Sequence, residues 1–260
     1  MSSISGISNA VGRGYESLSS GKRINKSADD AAGLAIAEKQ EAQIKGYEKG
    51  TNNMASAKDA LNIADQALGS INDYLQRIRE LSVSAANTAT VSDSDRQAMQ
   101  YEVEQLIDGI KDVAKNTNYN TIPLLDGSKS KFHLATDGNG NSTSIDMADA
   151  TLDALGIKGY DLTKDFSIDT IDNAISKVNS ARSSMGAQSN GLDYAMNYNK
   201  SAAFYSTQSK SRIEDLDFPQ AISEQKKNQV LLQYSLLMQK KKVENEEKRT
   251  QMTNTSMVIR

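Results

Sequence analysis

The chain has no cysteine and no tryptophan, one histidine, two prolines and four phenylalanines in 260 residues. Each shortage excludes something. Without cysteine there can be no disulfide, no thiolate nucleophile and no Cys-ligated zinc or iron–sulfur site. With His133 as the only histidine, neither a paired-His metal motif nor a Ser-His-Asp triad can be assembled. Aromatics at 5% and hydrophobic residues at 38% are lean for a self-contained globular core. Breakers fall only at Pro123 and Pro219, so long stretches are free to be helical. A net charge of −3 argues against bulk binding to nucleic acid or a membrane surface. The longest dense apolar run, Val230–Met238, has nine residues against the about 20 of a membrane span, so no membrane insertion is expected. Met1–Gly14 is rich in Ser and Gly and lacks an apolar segment, so it does not read as a cleaved secretory signal.

What is present is helical period. Met54, Ala57, Leu61, Ala64, Leu68, Ile71, Leu75 and Ile78 alternate at three and four residues, an a/d heptad series. Ser27-x-x-Asp30 predicts the start of that helix, which at about 60 residues would be roughly 90 Å long. Ser94-x-x-Gln97 predicts the cap of a second helix with seam Met99, Val103, Leu106, Ile110 and Val113. Ser167 predicts the cap of a third, whose Ile171, Val178, Met185 and Leu192 recur every seven residues. Between the second and third, Phe132, Leu134, Ile145 and Met147 alternate around Asp137-Gly-Asn-Gly-Asn141, which predicts a β-hairpin. Gly6, Gly12, Gly14 and Gly21 argue against a robust isolated helix in Met1–Lys26. The fold class is therefore mainly α: a long antiparallel helical bundle or coiled-coil rod with a small β-hairpin insert and helical terminal segments.

Catalytic and cofactor motifs fail on inspection. Ser19-Ser-Gly-Lys22 resembles the end of a phosphate loop, but Arg23 stands where Ser or Thr is needed. Asp137-x-Asn139-x-Asn141 begins like a calcium loop, but Ser142 and Ala148 replace the required Gly and Glu, so a tight turn fits better. Asp29 and Asp30 diverge by about 100° on a helix and suit its N-terminus rather than a shared site. No cofactor, metal or enzymatic role is expected. Arg77, Arg79 and Glu80 read as a solvated helix face, as does the Lys240–Arg249 charge run. Val230, Leu231, Leu232, Tyr234, Leu236, Leu237 and Met238 form an apolar run on nearly every helix face. Such a run either takes partners on all sides within one chain or takes them from other chains.

Leu18-Ser-Ser-Gly-Lys-Arg-Ile24, Ser27-Ala-Asp-Asp-Ala-Ala-Gly33 and Leu75-Gln-Arg-Ile-Arg-Glu-Leu-Ser-Val-Ser-Ala-Ala-Asn87 closely resemble bacterial flagellin. So do Tyr119-Asn-Thr-Ile-Pro-Leu-Leu-Asp-Gly127, Val178-Asn-Ser-Ala-Arg-Ser-Ser-Met-Gly186 and Ser211-Arg-Ile-Glu-Asp215. The resemblance covers about Leu18–Leu237 in order and spacing.

It implies a structural protein, exported unfolded by the flagellar type III route, that forms the extracellular filament of motile bacteria. It implies a division into residues 1–26 (tube-forming), 27–127 (first half of the rod), 128–166 (hairpin or variable insert), 167–213 (second half of the rod) and 214–260 (tube-forming helix). The implied partners are further copies in a helical homopolymer, an export chaperone on Val230–Met238, the filament cap, and a host Toll-like receptor. Gln76, Arg77, Leu81 and Glu102 match the surface that this receptor shares with subunit contacts in the family. The chain departs from the family at its ends: seventeen residues precede Leu18, and Lys240–Arg249 replaces a Gln/Asn-rich tail. Two alternatives follow: a minor or non-polymerising paralogue with altered termini, and a cytoplasmic coiled-coil adaptor.

Overall fold

The computed structural model describes residues 2–258, with the side chains of residues 4–252. Six helices are present: α1 (Ser2–Ser20), α2 (Ala31–Ala85), α3 (Asp93–Asn116), α4 (Leu152–Leu155), α5 (Ile168–Glu214) and α6 (Phe218–Val258). Four short strands lie between α3 and α5: β1 (Asn118–Tyr119), β2 (Ile122–Pro123), β3 (Lys131–Ala135) and β4 (Ser142–Asp146). β1 pairs with β2 and β3 with β4, both antiparallel. The expected mainly α class with a small hairpin is what forms. The chain divides into two compact units, one of residues 43–204 and one formed by the described residues of 1–42 and 205–260.

In the first unit the heptad series of α2 is the spine of the core. Met54, Leu61, Ala64, Leu68, Ile71, Leu75 and Ile78 are all buried, and only Ala57 of the series is half-exposed. Ile171, Val178, Met185 and Leu192 of α5 are buried in the same cluster. Ion pairs fix the relative direction of the two helices. Lys58 pairs with Asp193 at 2.7 Å, Asp65 with Arg182 at 2.9 Å and Arg79 with Asp172 at 2.5 Å. Rising numbers on α2 meet falling numbers on α5, so the helices are antiparallel. α3 runs back along α2, with Val103 and Ile110 buried. The second half of the insert is core rather than appendage. Met147, Ala150, Leu155, Ile157, Tyr160 and Leu162 are buried. Gln100 is buried too, accepting the Leu162 N–H at 2.8 Å, while the Tyr160 hydroxyl donates to Ser82 at 2.9 Å. These bonds satisfy polar groups that would otherwise be stranded in an apolar interior.

The β3–β4 hairpin has the expected alternation, with Phe132 opposite Ile145 and Leu134 opposite Thr143. Its tip is seated on α2 at two glycines one helical turn apart. A Cβ on Gly46 would lie 2.5 Å from the Gly138 Cα, and one on Gly50 would lie 1.8 Å from the Thr136 carbonyl oxygen. The Asn199 side chain donates to that same Thr136 carbonyl at 2.6 Å, and Asn53 donates to Ala135 O at 3.2 Å. Within the tip, Asp137 Oδ1 accepts the N–H groups of Asn139 and Asn141 at 2.9 and 3.1 Å. The Asn141 side chain donates to Asp137 Oδ2 at 2.7 Å. Burial opposes the charge on Asp137, but these donors win and hold its carboxyl below the usual range.

In the second unit the connector between α1 and α2 explains the Leu18–Ile24 motif. Gly21, at φ +72, ends α1 in the left-handed conformation that favours glycine. Lys22 reaches the buried Glu214 at 2.5 Å. The Arg23 guanidinium donates to Ile213 O at 2.6 Å, satisfying a carbonyl at the C-terminus of α5. Ile24 is buried. Lys210 donates to Glu41 and also approaches Glu214 at 3.5 Å, and the hydrogen bond to Glu41 raises its pKa above the ordinary 10.5.

Two local expectations need correction. α2 is capped by Asp30 rather than Ser27. Asp30 accepts the Gly33 N–H at 2.8 Å, whereas Asp29 turns back onto the Asn25 and Lys26 N–H groups. α3 is capped by Ser92 rather than Ser94, in a reciprocal box with Asp95. The expected helical N-terminal segment forms as α1, which is not isolated: α6 packs along it and outweighs the low propensity of its glycines.

Candidate functional site

Two surfaces carry the residues singled out by sequence. The first lies on α2 and α3. Arg77 Nε donates to Glu102 at 2.7 Å and its Nη1 to Glu80 at 3.0 Å. The hydrogen bond it donates to Glu102, then that to Glu80, pushes the guanidinium pKa up. Gln76 is exposed beside Arg77. Leu81 is not part of this surface, since it is 7% exposed and packs in the core cluster. The spacing that sets Leu81 one turn beyond Arg77 does not put it on the same face. Four residues advance a helix by about 400°, which is enough to rotate a side chain from the rim into the seam. The structure therefore brings Gln76, Arg77 and Glu102 together at the surface and puts Leu81 beneath it. An exposed ion pair of this kind contributes little stability, so the surface is available for recognition at small cost to the fold.

The second surface is α6. It packs antiparallel to α1, with Phe218 beside Gly21 and Gln225 beside Gly14. The glycine leaves room for that side chain, since a Cβ on Gly14 would displace the end of Gln225. The Gln225 side chain donates to Val11 O at 3.1 Å, and Gln229 donates to the Tyr15 hydroxyl at 2.7 Å. Seven residues forward on α1 are seven back on α6, so twelve back from Gly14, at Ser2, lies level with Leu237, twelve beyond Gln225. α6 then continues past that level to Val258. Val230, Leu231, Tyr234, Leu236, Leu237 and Met238 are exposed and Leu232 is half-exposed. Of the two readings of this run, burial within the single chain does not occur. The Lys240–Arg249 run is exposed in the same helix, a solvated charged segment following an uncovered apolar one. Among the described residues, no helix is long and apolar enough to cross a membrane.

The arrangement resembles known proteins across most of its length. The pattern of the bacterial flagellin N-terminal helical region matches residues 1–130, and that of the bacterial flagellin C-terminal helical region matches residues 168–245. A flagellin of Bacillus subtilis (strain 168) is 35% identical, over 90% of this chain and 90% of that protein. The flagellar filament 33 kDa core protein of Treponema phagedenis is 32% identical, over 88% of this chain and 87% of its own. The crystal structure of Bacillus cereus flagellin superposes with a TM-score of 0.51 at 29% identity, covering 57% of this chain and 88% of that one. With both helical regions matched in order and relatives of this identity over nearly the full length, the chain belongs to the bacterial flagellin family, whose members are structural proteins and not enzymes.

Proposed function

We propose that the chain is a structural subunit that self-assembles into the extracellular filament of a bacterial flagellum. The observation that carries this reading is the apolar run of α6, uncovered by its own chain in a member of a filament-forming family. Apolar area left in water on a folded monomer is a source of association free energy at about 25 cal/mol per Å². A double variant, Leu231→Asp with Leu237→Asp, tests it. Monomer stability is expected to stay within about 0.5 kcal/mol of the parent, because both sites already face solvent. Negative-stain microscopy after salt-induced assembly is expected to show filaments for the parent and none for the variant. Filaments formed equally well by both proteins would exclude this run as the assembly surface. Failure of the parent to assemble would favour a non-polymerising paralogue with altered termini.

The same run suits an export chaperone before assembly, because a helix apolar on most faces needs a cover until copies supply one. Passage through the flagellar type III channel and growth beneath a filament cap complete this reading. Recognition by a Toll-like receptor is a second proposal, supported by the exposed Gln76 and Arg77 and by the pairing of Arg77 with the half-buried Glu102. The Arg77 fork offers planar, charge-assisted donors of the kind that anchor interfaces. Monomeric Arg77→Ala is expected to activate receptor-bearing cells about tenfold less than the parent, the effect of losing one contact of about 1.4 kcal/mol. Equal activation would remove Arg77 from that role.

A further inference from the structure

We infer that the hairpin tip is a built-in site of spontaneous covalent modification, in which Asn139 cyclises onto the Gly140 backbone nitrogen and loses its side-chain amide. Asn-Gly is the dipeptide in which this reaction meets least steric resistance, because glycine places no Cβ beside the attacking nitrogen. The sequence contains it twice, at Asn139-Gly140 and at Asn190-Gly191. The fold treats the two differently. Asn190-Gly191 lies inside α5, where each backbone N–H is held in the i to i−4 ladder and the helical dihedrals keep the nitrogen away from the side-chain carbon. Asn139-Gly140 lies in the exposed turn between β3 and β4. Gly140 has φ +88, and nothing lies within 4 Å of where its Cβ would be. Asp137 Oδ1 takes the N–H of Asn139 and of Asn141, the residues on either side, and leaves that of Gly140 unengaged among the described residues.

The step balances without any co-reactant except water. The Gly140 nitrogen gives its proton to solvent base and forms a bond to Asn139 Cγ. The side-chain amine takes up a proton and departs as ammonia, leaving a five-membered imide. Water opens the imide at either carbonyl, giving aspartate or, with the backbone rerouted through the side chain, isoaspartate. Neither product suits the tip. Both set a second carboxylate near Asp137, and isoaspartate adds an atom to the backbone where Thr136 N closes on Asn141 O at 3.0 Å. The Asp-Gly pair next door is protected by contrast, because Gly138 packs against Gly46 and the Asp137 carboxylate is engaged by three donors.

The full chain, held folded in mildly alkaline buffer and sampled over weeks by peptide mass mapping, tests this. Asn139 is expected to convert at least about tenfold faster than Asn190, the ratio set by an added cost of about 1.4 kcal/mol to reach the reactive conformation from the helix. In denaturant the two sites are expected to react at similar rates, which shows that the fold and not the flanking sequence sets the difference. Asn139→Gln, which would need a larger ring, is expected to abolish conversion at the tip. Conversion of Asn139 no faster than Asn190 in the folded chain would overturn the inference.

Discussion

Replacing Gly50 by alanine is expected to destabilise the monomer by about 1–3 kcal/mol, the usual cost of forcing atoms into a packed interior. The new Cβ would sit 1.8 Å from the Thr136 carbonyl oxygen. The clash is with backbone, which cannot rotate away as a flexible side chain could. Either the hairpin tip lifts from α2, or α2 bends; both break the bonds that Asn199 and Asn53 make to Thr136 O and Ala135 O. The same substitution at Gly186 is expected to have the opposite sign. Gly186 lies within α5, is exposed, and nothing stands within 4 Å of its Cβ position. There alanine only restrains the unfolded chain and favours helix, raising stability by about 0.5–1 kcal/mol. Urea unfolding of the two variants measures both effects, and hydrogen exchange across β3 and β4 localises the first. A neutral Gly50→Ala would mean that the hairpin is not seated on α2 as described.

Leu68→Ala is expected to cost about 2–5 kcal/mol, whereas Leu237→Ala is expected to fall within about 0.5 kcal/mol. The stretch around Leu237 is the more apolar of the two. Leu68 is 1% exposed, at the centre of the seam shared by α2 and α5, and its truncation leaves a cavity between stiff helices. Leu237 is 61% exposed, so truncation removes surface that water already touches. Thermal unfolding of the monomers separates these outcomes. Under the proposed assembly through α6, the comparison is expected to narrow in assembled protein; an unchanged assembly midpoint for Leu237→Ala would count against its place in the subunit contact.

Much of this was legible because helical period is local. The residues from Met54 to Ile78 declare their seam by spacing, and the structure buries them in that pattern. The hairpin is likewise read from alternation, while its register, with Phe132 opposite Ile145, comes from the structure. Two helix starts were misplaced, by three and two residues, because Ser, Asp and Asn are dense near each boundary and several satisfy the same capping rule. The contribution of residues 147–162 to the core was missed. Its apolar residues follow no single period, and what buries them is the docking of Gln100 and Ser82 from helices some sixty to eighty residues away in sequence. On α2 and α3, Arg77 and Glu102 could be singled out from sequence, but their pairing at 2.7 Å depends on the register of α3 against α2. Leu81 shows the same limit in reverse.

The sequence by itself determined the helical class, the heptad seams, the hairpin and the family, since each rests on short-range spacing or on motifs that survive without coordinates. The shortage of aromatics and the apolar run at Val230–Met238 left two readings open, cover within the chain or cover from other chains. Only the tertiary structure decided which apolar residues are spent inside the monomer and which remain outside it. Leu68 and Leu81 are inside, and Leu237 is not. It also decided that glycines at positions 46 and 50 are contacts rather than weaknesses, and that one Asn-Gly pair is held in a helix while its twin stands in a turn. The physical reason is the same in each case: burial and backbone engagement are set by residues distant in sequence, and local spacing carries no record of which distant neighbour arrives.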